Sequence, residues 1–333
     1  MPAVREPPAR AFPAYIQAFS LYWLVASFPL SMPSTASKRV TNSDLKERVR
    51  EFWQAHPCGT KFSDAEIGTR EFFERVAAHR YDKEWHIPAA ADFARAKDLR
   101  VLEIGCGMGT DGVQFAKAGA VYTGVDLTDA AIDLARRNFE LNDLRGEFRV
   151  ADAENLDFTD QSFDLVYSHG VLHHTPDVQR ALSEIHRVLK PGGRAVVMLY
   201  HRGSYNYRIG IRVLRRAGAG LLKSKGGLRI VHRLTGEPIE SLREHAAALR
   251  NRNGNFSAAE LLNQSTDGAG NPLARVYSRR EARALFRDFR EVQLRTYFLN
   301  KRFIPIIGNW LPRSLESALA SRWGWHLWIY ATK

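Results

Sequence analysis

The distribution of hydrophobic and polar positions divides the chain into a helical part and an alternating part. Over residues 44–93, apolar residues such as Leu45 and Val49 recur at helical spacing. Ser43 or Asp44 is expected to cap the first helix, because short polar side chains accept hydrogen bonds from the free N–H groups at a helix start. This part of the chain is therefore predicted to be helical.

After residue 99, short apolar runs alternate with amphipathic stretches, which is typical of a parallel α/β sheet. Strands are predicted at residues 100–104, 121–125, 147–150, 163–167, 194–199, 291–298 and 325–331. Helices are predicted at residues 111–118, 129–142, 178–189 and 279–289. The predicted fold class is α/β: a doubly wound, seven-stranded, mostly parallel sheet, with a helical N-terminal cap and an insertion after strand 5.

This pattern predicts five segments. They are an apolar N-terminal segment (1–37), a helical cap (38–98), an α/β core (99–201), a basic insertion (202–277) and a last unit (278–333). The insertion is expected to cover the substrate side of the core. The last unit is expected to complete the core with a helix and strands 6 and 7.

Composition is that of an ordinary globular protein, with 45% hydrophobic and 25% charged residues in a chain of 333. These proportions exclude wholesale disorder, a collagen-like fibre and a polytopic membrane protein. The cysteines, Cys58 and Cys106, are too few for a disulfide framework or a four-cysteine zinc site.

The net charge of +12 is confined to one region. Residues 202–301 contain 20 Lys and Arg against 8 Asp and Glu, a surplus of 12, so the remainder of the chain is neutral. Two interpretations stay open. The region is either a solvated arginine-rich surface or a surface that meets an anionic partner, such as a nucleic acid or a membrane.

The N-terminal segment has no charged residue between Arg10 and Lys38 and is largely apolar over residues 11–30. Three interpretations compete: a cleaved signal peptide, a membrane-associating segment, or upstream sequence before an alternative start at Met32. Pro13 and Pro29 disfavour a spanning helix. We expect the segment to be peripheral or dispensable.

The candidate chemistry begins where the first strand ends, in the run Glu103-Ile-Gly-Cys-Gly-Met-Gly109. Alternate glycines let the backbone approach a ligand closely, and the following helix offers free N–H groups. The spacing departs from the dinucleotide fingerprint, because the sixth position counted from Gly105 is Thr110. Asp126 ends the second strand, where a carboxylate can accept ribose hydroxyls. Asp152 follows the third strand, where it can accept an adenine amino group.

The stretch 101–199 resembles the class I S-adenosylmethionine-dependent methyltransferases, in the branch of quinone-biosynthesis and other small-molecule enzymes (methyltransferase type 11). The matching blocks are VLEIGCGMG (101–109), GVDLT (124–128), ADAENLDF (151–158), FDLVYSHGVLHHTPD (163–177) and EIHRVLKPGG (184–193). The resemblance is dense in the middle third and looser in the terminal strands. It implies the methyltransferase variant of the Rossmann-like fold, S-adenosylmethionine as cofactor, and transfer of its methyl group.

The resemblance also implies a role for each cofactor-binding position. The residues that would surround the methionine moiety are Glu103, Gly105, Gly107 and Gly109. Those implied at the ribose are Asp126 and Leu127, and those implied beside the adenine are Asp152 and Ala153. Those implied to face the sulfonium and the acceptor, at the end of the fourth strand, are Ser168, His169 and Gly170.

Three histidines, His169, His173 and His174, cluster after the fourth strand. His169 and His173 are four residues apart, which on a helix would place both on one face. No third ligand stands at a recognisable spacing, so no metal site is predicted. Either ring could act as a catalytic base, because an imidazole near neutral pKa can take a proton from an attacking hydroxyl or amine. The alternative is that these rings only shape the pocket.

The expected activity is methyl transfer to an O, N or C atom of a small apolar or amphiphilic metabolite. Aromatic residues of the cap could line an apolar pocket: Phe52, Trp53, Phe72, Phe73, Tyr81 and Trp85. The basic and apolar insertion suits an amphiphilic acceptor at an anionic membrane. We therefore expect a cytoplasmic protein, with peripheral contact to the inner face of a membrane as an open alternative.

Two other functions stay open. A nucleic-acid methyltransferase is supported by charge alone, and no Asn/Asp-Pro-Pro-aromatic run follows the fourth strand, so specific nucleic-acid binding is not expected. A non-catalytic, cofactor-binding regulatory protein would also retain the glycine loop and Asp126. The sequence predicts no oligomeric state.

A chain that begins at Met32 is expected to fold and to bind cofactor as tightly as the full chain, because the predicted cap starts only near Asp44. Calorimetric titration of both chains with S-adenosylhomocysteine checks this. Insolubility or loss of binding in the shorter chain would show that the apolar segment is structural.

Overall fold

The computed structural model describes residues 41–214, 270–300 and 310–333 continuously. Between these ranges it also describes residues 217, 220–222, 224–235, 239, 242, 243, 260, 262, 263, 266, 267 and 304. The predictions for the apolar segment 1–37 lie outside the described residues, as does a large part of the predicted insertion.

Seven strands form one sheet within the described ranges, in the order β3-β2-β1-β4-β5-β7-β6. The strands are β1 (Arg100–Ile104), β2 (Val121–Asp126), β3 (Glu147–Val150), β4 (Phe163–His169), β5 (Leu189–Tyr200), β6 (Arg290–Tyr297) and β7 (His326–Thr332). Strands β1 to β5 pair in parallel, and β7 runs antiparallel to both β5 and β6. The predicted seven-stranded, mostly parallel sheet is confirmed.

Strand β5 begins at Leu189, five residues before the predicted start at Arg194. Leu189 pairs with Phe163, and the register then shifts before Arg194 pairs with Leu165. Gly192 supplies the turn with a φ of 77°. The Pro-Gly-Gly run is therefore an irregularity within the strand. The sequence had predicted that this run forms a turn before the strand begins.

Helices cover both faces of the sheet. Their bounds are α1 (Asn42–Ala55), α2 (Arg70–Lys83), α3 (Ile87–Ala91), α4 (Thr110–Lys117), α5 (Asp129–Leu141), α6 (Val178–Val188), a π-helix (Asn206–Leu214), α7 (Lys225–Thr235), α8 (Arg279–Leu285) and α9 (Arg313–Trp323). The cap of α1 is Thr41, whose side chain accepts from Asp44 N while the Asp44 carboxylate accepts from Thr41 N. This capping box corrects the expectation that Ser43 or Asp44 is the cap residue.

The strands are buried on both faces, as parallel strands usually are. Val101, Leu165 and Val196 pack on one face with the side chains of α3, α4 and α5. Leu102, Val166 and Val197 pack on the other with those of α6 and α8. Among the described residues, no helix is long and apolar enough to cross a membrane.

Strands β1 and β4 are neighbours, and from them the sheet grows in opposite directions along the chain. In open α/β sheets, ligands bind at such a reversal of strand order, beyond the carboxyl ends of the strands. The loops after Ile104 and His169 meet there. Helix α2 of the cap and strand β7 also reach this point, as the contacts below show.

Candidate active site

The loop after β1 passes through three glycines with left-handed backbone angles. Gly105, Gly107 and Gly109 have φ values of 73°, 53° and 74°. A Cβ added to Gly105 would lie 2.1 Å from Cγ2 of Val171. Gly105 N also donates to Val125 O at 2.7 Å, which ties the loop to β2. Position 105 therefore needs glycine for two separate reasons, its φ angle and its contact with Val171.

Glu103 lies at the base of this loop, lines the candidate cavity and is 4% exposed. Its Oε2 accepts a hydrogen bond from the Tyr122 hydroxyl at 2.6 Å. Burial raises the pKa of Glu103 well above its ordinary value, because loss of water disfavours the charged carboxylate. The placement is compatible with the predicted position beside a methionine moiety.

Asp126 ends β2 with its carboxylate held by the two adjoining loops. Its Oδ2 accepts from Gly107 N at 3.1 Å, and its Oδ1 accepts from Thr128 N at 3.1 Å and from the Thr128 hydroxyl at 2.9 Å. A carboxylate has about four acceptor positions, so capacity for a ligand hydroxyl remains. Burial raises the pKa of Asp126, and these hydrogen bonds oppose that shift. Leu127 lines the cavity beside it.

Replacing Asp126 by alanine is expected to weaken binding of S-adenosylhomocysteine about ten- to hundredfold, because a hydrogen bond to a charged group contributes roughly 1.5–3 kcal/mol. Calorimetric titration measures the change. Asp133→Ala, which removes an exposed carboxylate from α5, is the control and should bind like the parent. Unchanged affinity in Asp126→Ala would remove Asp126 from the site.

Asp152 and Ala153 also line the cavity, next to an interaction that the sequence did not indicate. Lys46 of α1 lies 2.6 Å from Asp152 Oδ2 and 2.5 Å from Glu154 Oε2. Burial lowers the pKa of Lys46, and hydrogen bonds to the two carboxylates raise it. The hydrogen bonds outweigh burial, so the pKa of Lys46 lies above its ordinary value. The predicted adenine end of the site is therefore tied to the N-terminal cap.

The end of β4 separates two residues that the sequence placed together. Ser168 is fully buried, and its hydroxyl donates to Ile104 O at 3.0 Å, joining β4 to β1. It does not line the cavity, unlike its neighbour His169. Successive side chains on a strand point to opposite faces, which accounts for the difference. Ser168 thus lies behind the site and does not face the acceptor.

Of the two remaining histidines, His174 lines the cavity and His173 does not. His173 is fully buried outside the cavity lining, with its ring centroid 3.7 Å from that of Tyr200. His174 does line the cavity; its Nδ1 donates to Leu273 O, and its Nε2 lies 3.4 Å from Asp267 Oδ2. His169 ends a strand and His173 lies in a 3-10 turn, so they share no helical face.

A buried ion pair joins the cap to the core beside His169. Arg80 of α2 binds Asp111 of α4 through two hydrogen bonds, Nε to Oδ1 at 3.0 Å and Nη2 to Oδ2 at 2.6 Å. The hydroxyls of Tyr81 and Tyr167 each donate to the same carboxylate at 2.9 Å. Because α2 and α4 are separated along the chain, no sequence pattern indicated this network.

Three potential metal ligands lie near this ion pair. The ligand atoms of Glu84, His169 and His326 are all within 4.8 Å of one another. However, Arg80 Nη2 lies 3.1 Å from His169 Nδ1, and a guanidinium can only donate. The neutral His169 ring must therefore accept at Nδ1 and carry its proton on Nε2, which then has no lone pair for a cation. Of the three residues, only Glu84 and His326 could then ligate a metal ion. The absence of a metal site stays a prediction.

A cavity of about 990 Å³ joins these features. We call the part lined by Gly105, Asp126 and Asp152 the cofactor half, and the part lined by Glu84 and Trp325 the acceptor half. The volume is at the upper end of the roughly 300–1,000 Å³ typical of ligand pockets. Further rings that line the cavity include those of Phe52, Trp53, Phe62, Trp85, Tyr200 and Phe298.

The cap aromatics predicted to line a pocket divide into two groups. Phe52, Trp53 and Trp85 line the cavity. Phe72 and Phe73 pack in a small core with Val76 and Met108, and Tyr81 hydrogen-bonds Asp111 instead. Sequence reasoning missed Lys46, Arg80, Glu84 and His326, all of which line the cavity.

Comparison with known proteins places the core in a family. Residues 102–197 match a family described as a methyltransferase domain. The ubiquinone biosynthesis O-methyltransferase of Coxiella burnetii (strain RSA 493 / Nine Mile phase I) is 35% identical over 115 residues, which are 34% of this chain and 49% of that protein. The phthiotriol/phenolphthiotriol dimycocerosates methyltransferase of Mycobacterium leprae (strain TN) is 43% identical over 170 residues, or 46% of this chain and 60% of that protein.

Among solved structures, the magnesium protoporphyrin IX methyltransferase of Synechocystis PCC 6803 aligns with 14% identity and a TM-score of 0.49, over 86% of this chain and 99% of that one. The chain spans about half the length of the curated relatives it matches, 49% and 60% in the two cases above. The family match falls on the strands and the glycine loop that form the cofactor half. Residues 102–197 of this chain therefore form a methyltransferase domain of the S-adenosylmethionine-dependent type.

Proposed function

We propose that this protein transfers the methyl group of S-adenosylmethionine to a small apolar or amphiphilic molecule. One observation supports this above all: a single cavity connects the glycine loop and Asp126 to an acceptor half walled by aromatic rings. When bound, the cofactor supplies a methyl group already activated on a sulfonium. The protein's main contribution is then alignment of the two reactants, which can lower a barrier by roughly 7–11 kcal/mol.

The residues of the cofactor half fit this cofactor. Gly107 leaves open space, with no atom within 4 Å of the position that a Cβ would take, and Asp126 retains acceptor capacity after three internal hydrogen bonds. Asp152 would serve the adenine amino group with the acceptor capacity left by Lys46 and Glu154 N. These three positions follow β1, β2 and β3, so they lie along one edge of the sheet.

The acceptor half suits a flat, largely apolar molecule. The rings of Tyr200 and Trp325 stack with centroids 4.4 Å apart, and the Trp53 and His174 rings meet edge to face at 5.5 Å. Aromatic faces bind planar apolar groups well, and a few convergent polar groups fix their orientation. The Tyr200 hydroxyl, which donates to Asp267 at 2.8 Å, and the Arg80–Asp111 network are such groups.

We further propose that the insertion contacts an anionic membrane. Apolar side chains are exposed beside arginines there: Ile209 is 38%, Val213 52% and Ile230 50% exposed. Arg208 and Arg212 lie on the same π-helix as the first two. Each basic residue near an anionic surface contributes about 1 kcal/mol, so these positions together favour peripheral binding.

Incubation of the protein with labelled S-adenosylmethionine and separate lipid, metabolite, RNA and protein extracts tests the activity. We expect label in the lipid or metabolite fraction, and a much weaker signal with Asp126→Ala. Label confined to RNA or protein would overturn the small-molecule acceptor. Cofactor binding without label in any fraction would favour a regulatory protein.

Flotation with liposomes of graded anionic content tests the membrane contact. Binding should increase with anionic lipid and fall with salt. Methyl transfer to a soluble metabolite without liposome binding would retain the enzyme class and reject the membrane contact.

A further inference from the structure

We propose that the methyl acceptor is a hydroxyl oxygen held between His169 Nε2 and Glu84 Oε2, and that Glu84 is the base that removes its proton. This inference rests on the proposed methyl transfer and names the acceptor atom and its catalytic residue.

Two polar atoms without a hydrogen bond mark the place. Glu84 Oε2 and His169 Nε2 are both buried and neither makes a hydrogen bond; the Arg80 guanidinium lies 3.8 Å from Glu84 Oε2, an ion-pair contact that is too long to be a hydrogen bond. Glu84 Oε2 and His169 Nε2 lie 3.9 Å apart, too far to bond to each other. Both residues line the cavity, Glu84 from the end of α2 and His169 from the end of β4. Buried polar groups in native structures are normally paired, so a ligand is the expected partner.

The two atoms have opposite requirements. Arg80 donates to His169 Nδ1, so His169 Nε2 carries the proton and can only donate. Glu84 Oε2, when ionised, can only accept. A group that satisfies both atoms must accept one hydrogen bond and donate another, as a hydroxyl does. An oxygen within about 2.8 Å of each atom would fill the gap.

The number of lone pairs excludes other acceptor groups. A carbonyl oxygen has no proton for Glu84, and an ammonium has no lone pair for His169. A neutral amine has one lone pair, which the His169 N–H would occupy and so withhold from the methyl group. A hydroxyl oxygen has two lone pairs, so one can accept from His169 while the other attacks. Among oxygen and nitrogen acceptors, the geometry therefore selects an alcohol or a phenol.

The electrostatic surroundings agree with these roles. Burial raises the pKa of Glu84 to about 7, with Arg80 lowering it and Asp111 and Asp267 raising it. A base of that strength takes a proton effectively near neutral pH. Burial and the Arg80 charge hold the pKa of His169 well below its ordinary value, so the ring stays neutral and donates. His326 is a further titratable group beside Glu84, and burial also lowers its pKa. The Cys58 thiol and the Tyr200 hydroxyl are near enough to interact with the Glu84 charge, and burial raises the pKa of both.

The reaction balances with these groups. The acceptor proton moves to Glu84 Oε2 as an oxygen lone pair forms the bond to the methyl carbon. The carbon–sulfur bond breaks and its electron pair stays on sulfur, which becomes a neutral thioether. The products are a methyl ether, S-adenosylhomocysteine and a protonated Glu84, which returns its proton to solvent.

The first experiment identifies the bond formed. The wild-type protein is given ¹³C-methyl-labelled cofactor and the extract fraction that takes up label, and the carbon chemical shift of the product distinguishes methyl on oxygen, nitrogen and carbon. A methyl ether is expected. A methyl group on nitrogen or carbon would overturn this inference and leave the proposed function standing. No labelled product at all would reject the proposed function itself.

The second experiment tests Glu84 on the same product. Glu84→Gln should lower kcat/KM about 10²- to 10⁴-fold with unchanged calorimetric affinity for S-adenosylhomocysteine. In the wild type, kcat should rise with pH up to about 7 and then level, because the base must lose its proton, and Glu84→Gln should lack this step. Glu71→Gln, an exposed position on the same helix, should behave as wild type.

Two results would contradict the role of Glu84. A Glu84→Gln protein that keeps the wild-type rate and pH profile would show that the carboxylate is not the base. Loss of activity in a chelator, restored by zinc, would show that His169 Nε2 ligates a metal and so carries no proton. Full activity in the chelator is expected.

Discussion

Replacing Arg80 by methionine is expected to lower the free energy of unfolding by about 3 kcal/mol. The substitution leaves Asp111, whose side chain is 3% exposed, without its positive partner. Breaking a buried ion pair from one side costs about 3–5 kcal/mol, because the remaining charge is uncompensated. The lower end applies, since the Arg80 side chain is 24% exposed. Urea unfolding at neutral pH measures the loss.

Two matched variants show whether the lost charge is the cause. Arg75→Met removes exposed ion pairs with Glu71 and Asp64 from the same helix and should cost about 1 kcal/mol or less, as surface pairs do. Arg80→Met combined with Asp111→Asn should be more stable than Arg80→Met alone, because position 111 then holds no unpaired buried charge. Equal losses in Arg75→Met and Arg80→Met would refute the buried-pair account.

Gly105→Ala is expected to lower the free energy of unfolding by about 2–5 kcal/mol. Overpacking against Val171 costs about 1–3 kcal/mol, and an L side chain at a φ of 73° costs roughly 1–2 kcal/mol more. Gly107→Ala is the matched control, since it has a φ of 53° but no atom within 4 Å of an added Cβ. Gly107→Ala should lose only the roughly 1–2 kcal/mol that an L side chain costs at a positive φ.

Urea unfolding of the two glycine variants separates the two causes. Adding Val171→Ala should recover part of the stability of Gly105→Ala, because it removes the atoms that the new Cβ meets. If Gly105→Ala and Gly107→Ala lose the same stability, the contact with Val171 has no energetic role.

The sheet and the cofactor loop could be predicted because their signals are local. Strand β3 lies where its apolar run predicted it, and the glycine loop is specified by backbone angles that few other residues adopt. The alternation of side chains along a strand also predicts that two consecutive residues face opposite sides of the sheet. Ser168 and His169 are consecutive residues on β4, so only one of them could face the cavity.

The acceptor half could not be predicted in the same way. Glu84 meets His169 across 85 residues of chain, and Arg80 meets Asp111 across 31. Such pairs depend on how the cap docks on the sheet, and no local periodicity encodes that arrangement. Helix α9 was likewise not predicted. Capping signals were recognised only to within a few residues, as at Thr41.

Helix α1 forms one wall of both halves of the cavity. Lys46, near its start, is tied to Asp152 and Glu154, and Trp53, near its end, packs on His174. On the proposed function, we expect departure of the spent cofactor and departure of the methylated product to be kinetically linked through this helix. The ion pair between Lys46 and Asp152 attaches the start of this helix, and the two side chains are 27% and 30% exposed. Added salt should weaken this ion pair and so speed turnover when release limits the rate.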